Sequence, residues 1–175
     1  MRSAYILPTG NEIQNGVVRD LDSPELMSQI VSAYPMAEVT RLCPLVDEED
    51  AIFQKICQTA ELGPDLIVLI GGSGGGHRFS DSLGRDFTHT ALVRYLDEHA
   101  SREIYGKNGH LWTKLVCGKK GNTLVINVPG PFTEASAAMA ACLQALESGS
   151  DVNEICRAMA QAVYNTYPAG AAQAL

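Results

Sequence analysis

Residues 65–76 read DLIVLIGGSGGG: five consecutive apolar residues, Leu66 to Ile70, then five glycines within six positions. The run is too short for an independent helix and does not alternate with polar residues. A strand of this kind must be covered on both faces, which is the condition of a parallel sheet with helices on either side. The rest of the chain is consistent with that constraint. SAYILPT (3–9) reads as a short strand. In SPELMSQIVSAY (23–34), Ser23 stands as N-cap, Pro24 at the first helical position, and Leu26, Ile30 and Val31 at helical spacing. AEVTRLCPLV (37–46) is a second strand. DEEDAIFQKICQTAELG (47–63) has acids in its first turn and Gly63 at its end, so it is a helix. A helix follows Arg85. HLWTKLVCG and NTLVINVPG flank the turn KKGN as a hairpin. An Ala-rich helix, 133–149, precedes a C-terminal helix at about 151–167 that opens with Asp-x-x-Glu, and residues 168–175 read as a loose tail.

This alternation predicts an α/β fold: a three-layer α-β-α arrangement around a mostly parallel sheet, with all 175 residues in a single domain. A net charge of −7 argues against a general nucleic-acid binder and against a polybasic membrane binder. The apolar run near the N-terminus is too short for a signal peptide, and no stretch reaches the length of a membrane span. Five cysteines without a CxxC pair fit reduced thiols and a cytoplasmic protein.

In sheets of this type, ligands bind beyond the carboxyl ends of the strands. The unusual residues collect there: PTGNE after the first strand, PLVDEED after the second, IGGSGGG after the third and VPGP after the last. Glycines permit positive φ and let a ligand approach the backbone, so successive amides can form an anion nest. A side chain at Gly72 would then stand where the ligand approaches. The loop lacks the Gly-Lys-Ser/Thr of a P-loop and the GxGxxG of a dinucleotide site. Taken alone, it is also compatible with a flexible or tightly packed strand–helix turn.

Four segments in order resemble the molybdopterin-binding domain family. They are PTGNEIQNGVVRDLDSPEL, LVDEEDAI, DLIVLIGGSGG with RDFTHTAL, and LVINVPGPFTEA, together spanning residues 5–146. The resemblance implies that Thr9 and Gly10 shape the pocket and that Gly71, Gly72, Ser73 and Gly74 cradle a phosphate, with Ser73 in place of the usual threonine. Pro129 and Gly130 would form the far wall. Asp47 and Asp86 fall on the catalytic acids, where they would also hold Mg²⁺. Arg78 and Arg85 are candidate phosphate clamps. Read as residues alone, Asp47 could simply cap its helix, and the two arginines could be surface cations. His77 and His89 lack metal-ligand spacing, and Trp112 is read as packing rather than as a stacking platform.

The function implied is molybdenum-cofactor biosynthesis by an adenylyltransferase-like enzyme. It would bind molybdopterin and, with ATP and Mg²⁺, adenylylate it or handle its AMP adduct. A nucleotide-pyrophosphate hydrolase of the competence-damage-inducible branch is the alternative enzyme, and a pterin-binding sensor without turnover is the alternative binder. A flavodoxin-like flavin site is disfavoured, because its phosphate loop would follow the first strand and be richer in Ser and Thr. The sequence departs from the family at Asn11, where an Asp is common, and at Asp22, where an Asn is usual. GGHRFSDSLG also lengthens the segment after the glycines, which makes Asp81 the alternative to Asp86. The resemblance further implies a homo-oligomer, a trimer or dimer of trimers, for which the small residues of the helix Ala135 to Leu146 would permit close packing.

Overall fold

The computed structural model describes residues 1–74 and 86–175. Six strands form one sheet: β1 (Ser3–Pro8), β2 (Glu38–Arg41), β3 (Leu66–Ile70), β4 (His99–Tyr105), β5 (Leu111–Lys120) and β6 (Thr123–Val128). Their spatial order is β2-β1-β3-β6-β5-β4. The first four in that order pair in parallel, and only β5 runs against its neighbours. The helices are α1 (Asn11–Gln14), α2 (Asp22–Ala33), α3 (Glu49–Ala60), α4 (Thr88–Tyr95), α5 (Phe132–Glu147) and α6 (Val152–Tyr164). The mostly parallel three-layer arrangement expected from the sequence is therefore present.

The apolar run explains the layering. Leu66, Val68 and Ile70 face a core built with α2, α5 and α6. Ile67 and Leu69 face a separate core built with α3 and α4. All five are essentially removed from water, so the period-2 geometry of the strand puts its side chains into both layers. The helices answer with one-sided stripes: Ile52 and Ile56 on α3, and Ile155, Met159 and Val163 on α6. At the start of α6, Asp151 accepts from the Glu154 amide (2.9 Å) and Glu154 accepts from the Asp151 amide (3.0 Å). This is the capping box that Asp-x-x-Glu announces.

Several elements differ from the sequence reading. Strand β4 has no counterpart in it; only Ala100 and Ile104 on this strand are buried, too few apolar positions to announce a strand. Helix α2 begins at Asp22 with Leu21 at the N-cap position, so Ser23 lies inside the first turn instead of capping it, and its amide donates to the Asp20 carboxylate (2.9 Å). Helix α6 ends at Tyr164, and the tail expected to be loose is tied to the sheet. Ala172 bridges Gly106, and the Lys107 amide donates to the Ala171 carbonyl at 3.0 Å. Of the small residues of α5, Ala135, Ala138, Cys142 and Ala145 lie in the core shared with α2 and α6, whereas Ala140 is exposed and Ala137 and Ala141 are partly so.

One irregularity shapes the ligand side of the sheet. The β5–β6 ladder stops at Cys117 opposite Ile126. Beyond it the fully buried Asn127 fills the gap: its Oδ1 accepts from the Val116 amide (2.6 Å), and its Nδ2 donates to the Lys114 carbonyl (2.9 Å). Asn127→Leu would leave the buried Val116 amide and the part-buried Lys114 carbonyl without their partner. At about 1–3 kcal/mol for each stranded group, urea unfolding should show a loss of about 2–4 kcal/mol. A loss under about 1 kcal/mol would mean that the strands close without the asparagine.

Candidate functional site

The sheet topology fixes where a site can form. The chain leaves β1 toward α2 on one face and leaves the adjacent β3 toward α4 on the other. Outgoing connections that diverge in this way open a crevice at the strand ends. A cleft of about 1000 Å³ lies there, lined by Thr9 and Gly10 after β1, Asp47 after β2, Gly71 to Gly74 after β3, and Pro129 and Gly130 after β6. Asp86 lines it as well. The structure thus brings together every candidate residue that it describes. Arg78, Arg85 and Asp81 lie outside the described residues, as do His77 and the rest of the lengthened segment.

The glycine loop is braced from three sides. The Gly71 amide donates to the Val128 carbonyl at 3.1 Å, which sets the loop against the Pro-Gly-Pro turn; a Cβ on Gly130 would lie 3.7 Å from Gly71 Cα. The Gly72 carbonyl accepts from the Thr88 amide (3.1 Å) and from His89 Nδ1 (3.3 Å). Burial holds the His89 pKa below its usual value, with the nearby Lys114 charge acting the same way, so a neutral imidazole with its proton on Nδ1 suits this bond. The Ser73 carbonyl accepts from the Lys114 amide at 2.6 Å, and Thr113 Oγ1 donates to Ser73 Oγ at 3.0 Å. Here β5 has already parted from β6, so its free edge takes up the loop. Among the described residues, the amides of Gly72, Ser73 and Gly74 have no backbone partner, the condition an anion nest requires.

Gly72 corrects one expectation. Its φ is +57°, and a Cβ there would sit 2.3 Å from Thr88 Oγ1. A side chain at Gly72 would strike the start of α4 instead of projecting at a ligand. Gly71, with φ +89°, is similarly close to Thr9, at 3.1 Å from the Thr9 carbonyl oxygen. Thr9 Oγ1 in turn donates to the Ile70 carbonyl (2.9 Å) and lies 3.1 Å from Thr88 Oγ1. The two hydroxyls join the β1 loop to α4 across the end of β3.

The acids face this loop from the β1 and β2 side. Asp47 does not cap α3, whose N-cap is Glu48. Its Oδ2 accepts from the Asn11 amide (3.2 Å), while the Asp47 amide donates to Asn11 Oδ1 (3.1 Å). An Asp at position 11 would set a second carboxylate against Asp47, so Asn11 lets the two loops bond reciprocally. Burial raises the Asp47 pKa against that amide, and the charges of Glu12 and Asp86 raise it further. Six described acids line the cleft, namely Glu12, Asp20, Asp22, Asp47, Asp86 and Glu134, against one described cation, Arg19. Asp20 is matched by Arg41 at 2.7 Å outside the lining. Among the described residues the carboxylates dominate, so an anion placed here would need amide donors or a cation to offset them. Among the described residues no cluster of three or more His, Cys, Asp or Glu could hold a metal ion. Mg²⁺ commonly uses one or two carboxylates with substrate phosphates, so the Asp47 and Asp86 pair fits that role.

The lining also includes residues outside the expected set. Glu12, Glu134, Phe132 and Tyr167 all face the cleft, and Trp112, read as packing, lines it while also packing against Tyr167. Glu12 and Glu134 stood inside the motif segments; Tyr167 had no signal, because its place depends on how the tail folds back. Asp22 carries a buried Oδ1 without a partner among the described residues.

The family model described as a probable molybdopterin binding domain matches residues 5–148. The fold is similar to that of MogA, with a TM-score of 0.66 at 19% identity over 88% of this chain and 99% of that one. It is also similar to the molybdopterin biosynthesis enzyme MoaB of Thermus thermophilus, with a TM-score of 0.64 at 22% identity over 90% and 98%. A third similar fold is CinA of Thermoplasma acidophilum, described as of unknown function, with a TM-score of 0.61 at 18% identity over 85% and 97%. No curated protein matches the chain in sequence.

Burial raises the pKa of Asp22 to about 6, and the neighbouring Asp20 charge adds to the shift. The folded state then binds this proton more tightly than the unfolded chain. Stability should fall as pH rises from about 4 through about 6 and stay lower above that. Asp22→Asn should raise the thermal midpoint at pH 8, and the gain should vanish near pH 4. Parallel melting curves for the two proteins across that range would show that the carboxyl is not strained.

Proposed function

We propose that this chain, which belongs to the molybdopterin-binding domain family, binds molybdopterin and transfers an adenylyl group to it or handles the AMP adduct. The observation that carries this reading is the meeting, in one cleft, of a braced glycine loop and the carboxylates of Asp47 and Asp86. Gly71 to Gly74 hold the terminal phosphate through loop amides, with Thr9, Gly10, Pro129 and Gly130 as the pocket walls. In the transfer, a phosphate oxygen of the pterin attacks the α-phosphorus of ATP and pyrophosphate leaves. Asp47 and Asp86 hold the metal side of the nucleotide, and Arg78 and Arg85 are the candidate clamps on its phosphates. Mg²⁺, when bound by those acids, supplies neutralisation of the charge that develops on the phosphoryl oxygens. Burial of Asp47 and the neighbouring acids favour a species that brings this cation with it.

Asp47→Asn and Asp86→Asn should each lower AMP transfer about a hundredfold or more, the scale of losing one electrostatic group. Molybdopterin binding, followed by native mass spectrometry, should stay nearly intact. Asp81→Asn serves as the register control: a large loss there with none at Asp86 would move the catalytic role to Asp81. Pterin binding without ATP consumption in Mg²⁺ would leave a sensor, and hydrolysis of ADP-ribose by the wild type would place the chain with the pyrophosphate hydrolases.

The same reading expects a homo-oligomer, a trimer or dimer of trimers. Exposed apolar side chains such as Val31, Met36 and Val93, with the small Ala140 on the outer face of α5, would supply the contacts. Light scattering at micromolar concentration should give a multiple of the 18.8 kDa chain mass; the monomer mass would defeat this expectation.

A further inference from the structure

The phosphate chemistry uses the loops after β1, β2, β3 and β6. The cleft also has an aromatic wall. Trp112, the only tryptophan of the chain, stands edge-on to Tyr167, with ring centroids 4.8 Å apart and an interplanar angle of 69°. Both rings line the cleft. Trp112 is seated tightly on Gly106, where an added Cβ would lie 2.5 Å from the indole Nε1. Tyr167 lies beyond the residues that the family model matches. It is held in place because the tail returns to the sheet, with Ala172 bridging Gly106 and the Gln173 amide donating to the Tyr105 carbonyl at 2.8 Å.

This wall also orients an acid. The Tyr167 hydroxyl donates to Glu134 Oε2 at 2.9 Å, from the segment after α6 to the first turn of α5. A carboxylate offers about four lone-pair sites, and the tyrosine takes one. Glu134 is half-buried, and burial raises its pKa against that hydroxyl bond. A carboxylate so fixed has lost water and has acceptor capacity left for a donor-bearing partner. An aromatic wall beside a fixed acceptor suits a planar ring system whose edge carries N–H groups.

We propose that Trp112, Tyr167 and Glu134 form a ring subsite of the cleft that takes a flat heterocycle presenting two adjacent N–H donors. That edge is the amino-pyrimidinone of pterins and of guanine; adenine lacks it. The assignment rests on the binding reading above and names the residues that select the ring. Glu134 receives the ring N–H and the exocyclic amino group, as carboxylates receive paired donors. The aromatic pair packs against the body of the ring. The selecting residues then include one supplied by the chain beyond residue 148, the end of the family match.

The test is a comparison of two rings on the full chain. A 6-substituted pterin and the matching lumazine, which has a carbonyl in place of the 2-amino group, are titrated calorimetrically. The wild type should prefer the pterin by about tenfold or more, because an acceptor left without its donor is costly. Glu134→Gln keeps the shape but adds donors, so the preference should collapse to within about twofold or reverse. Tyr167→Phe should shrink it several-fold by releasing the carboxylate. The pterin-to-lumazine ratio is the readout that a merely structural role of these residues would leave unchanged. GMP competing with the pterin where AMP does not would support the subsite and assign it to a nucleotide base. Equal affinity for pterin and lumazine in the wild type overturns the subsite, as does a ratio unmoved by Glu134→Gln. Binding of pyrophosphate without either ring overturns it and leaves the phosphate reading standing. If the folded protein binds neither ring nor pyrophosphate, both readings fall.

Discussion

Burial of Leu66 to Ile70 on both faces sets the layering of the whole molecule. A strand with no polar face must be paired on both edges and covered above and below. Strands β1 and β6 supply the edges, and α2, α5 and α6 on one side with α3 and α4 on the other supply the cover. Once β3 is central, its outgoing loop lies between those of β1 and β6. The chain leaves β3 toward a different helix layer from either neighbour, so these three loops border one crevice. The glycines belong to that strand end, where the chain must turn sharply beside two other loops.

The loop itself is held more firmly than glycine content suggests. Gly72 is pressed on Thr88, its carbonyl is bonded by Thr88 and His89, and the Ser73 carbonyl is bonded by Lys114. The last bond exists because β5 parts from β6 and Asn127 satisfies the backbone groups left behind. A packed strand–helix turn and an anion nest, set against each other as sequence readings, are compatible in this geometry. Packing occupies the carbonyls and the Cβ directions, and among the described residues the amides of residues 72–74 keep no backbone partner. The acids around the cleft set the electrostatic condition. Burial raises the Asp47 pKa and the charges of Glu12 and Asp86 add to the shift, so a cation arriving beside these acids would relieve it.

Much of the fold and part of the site were legible because their signals are local. The apolar run, the acidic first turn of α3, the Asp-x-x-Glu of α6 and the turn between β5 and β6 each need only a short window. Strand β4 was not legible, since its two buried residues rely on α6 and β5 for cover. Asp47 illustrates the division. Its place after a strand was readable, but its reciprocal bonding with Asn11 joins loops 36 residues apart, which no local pattern encodes. Trp112 read as packing and does pack, yet its partner Tyr167 makes that packing a wall of the cleft.

Local pattern along the chain specified the layered α/β architecture and the set of loops that meet at the strand ends. Hydrophobic period, turn chemistry and the order of four motifs are properties of neighbouring residues. The tertiary structure alone decided which side chains share the cleft, that Asn127 would open the sheet for the glycine loop, and that the tail would carry Tyr167 to Glu134. Those outcomes depend on contacts between residues distant along the chain. Their energy comes from burial and from satisfying polar groups at specific points in space, and such points exist only once the sheet has formed.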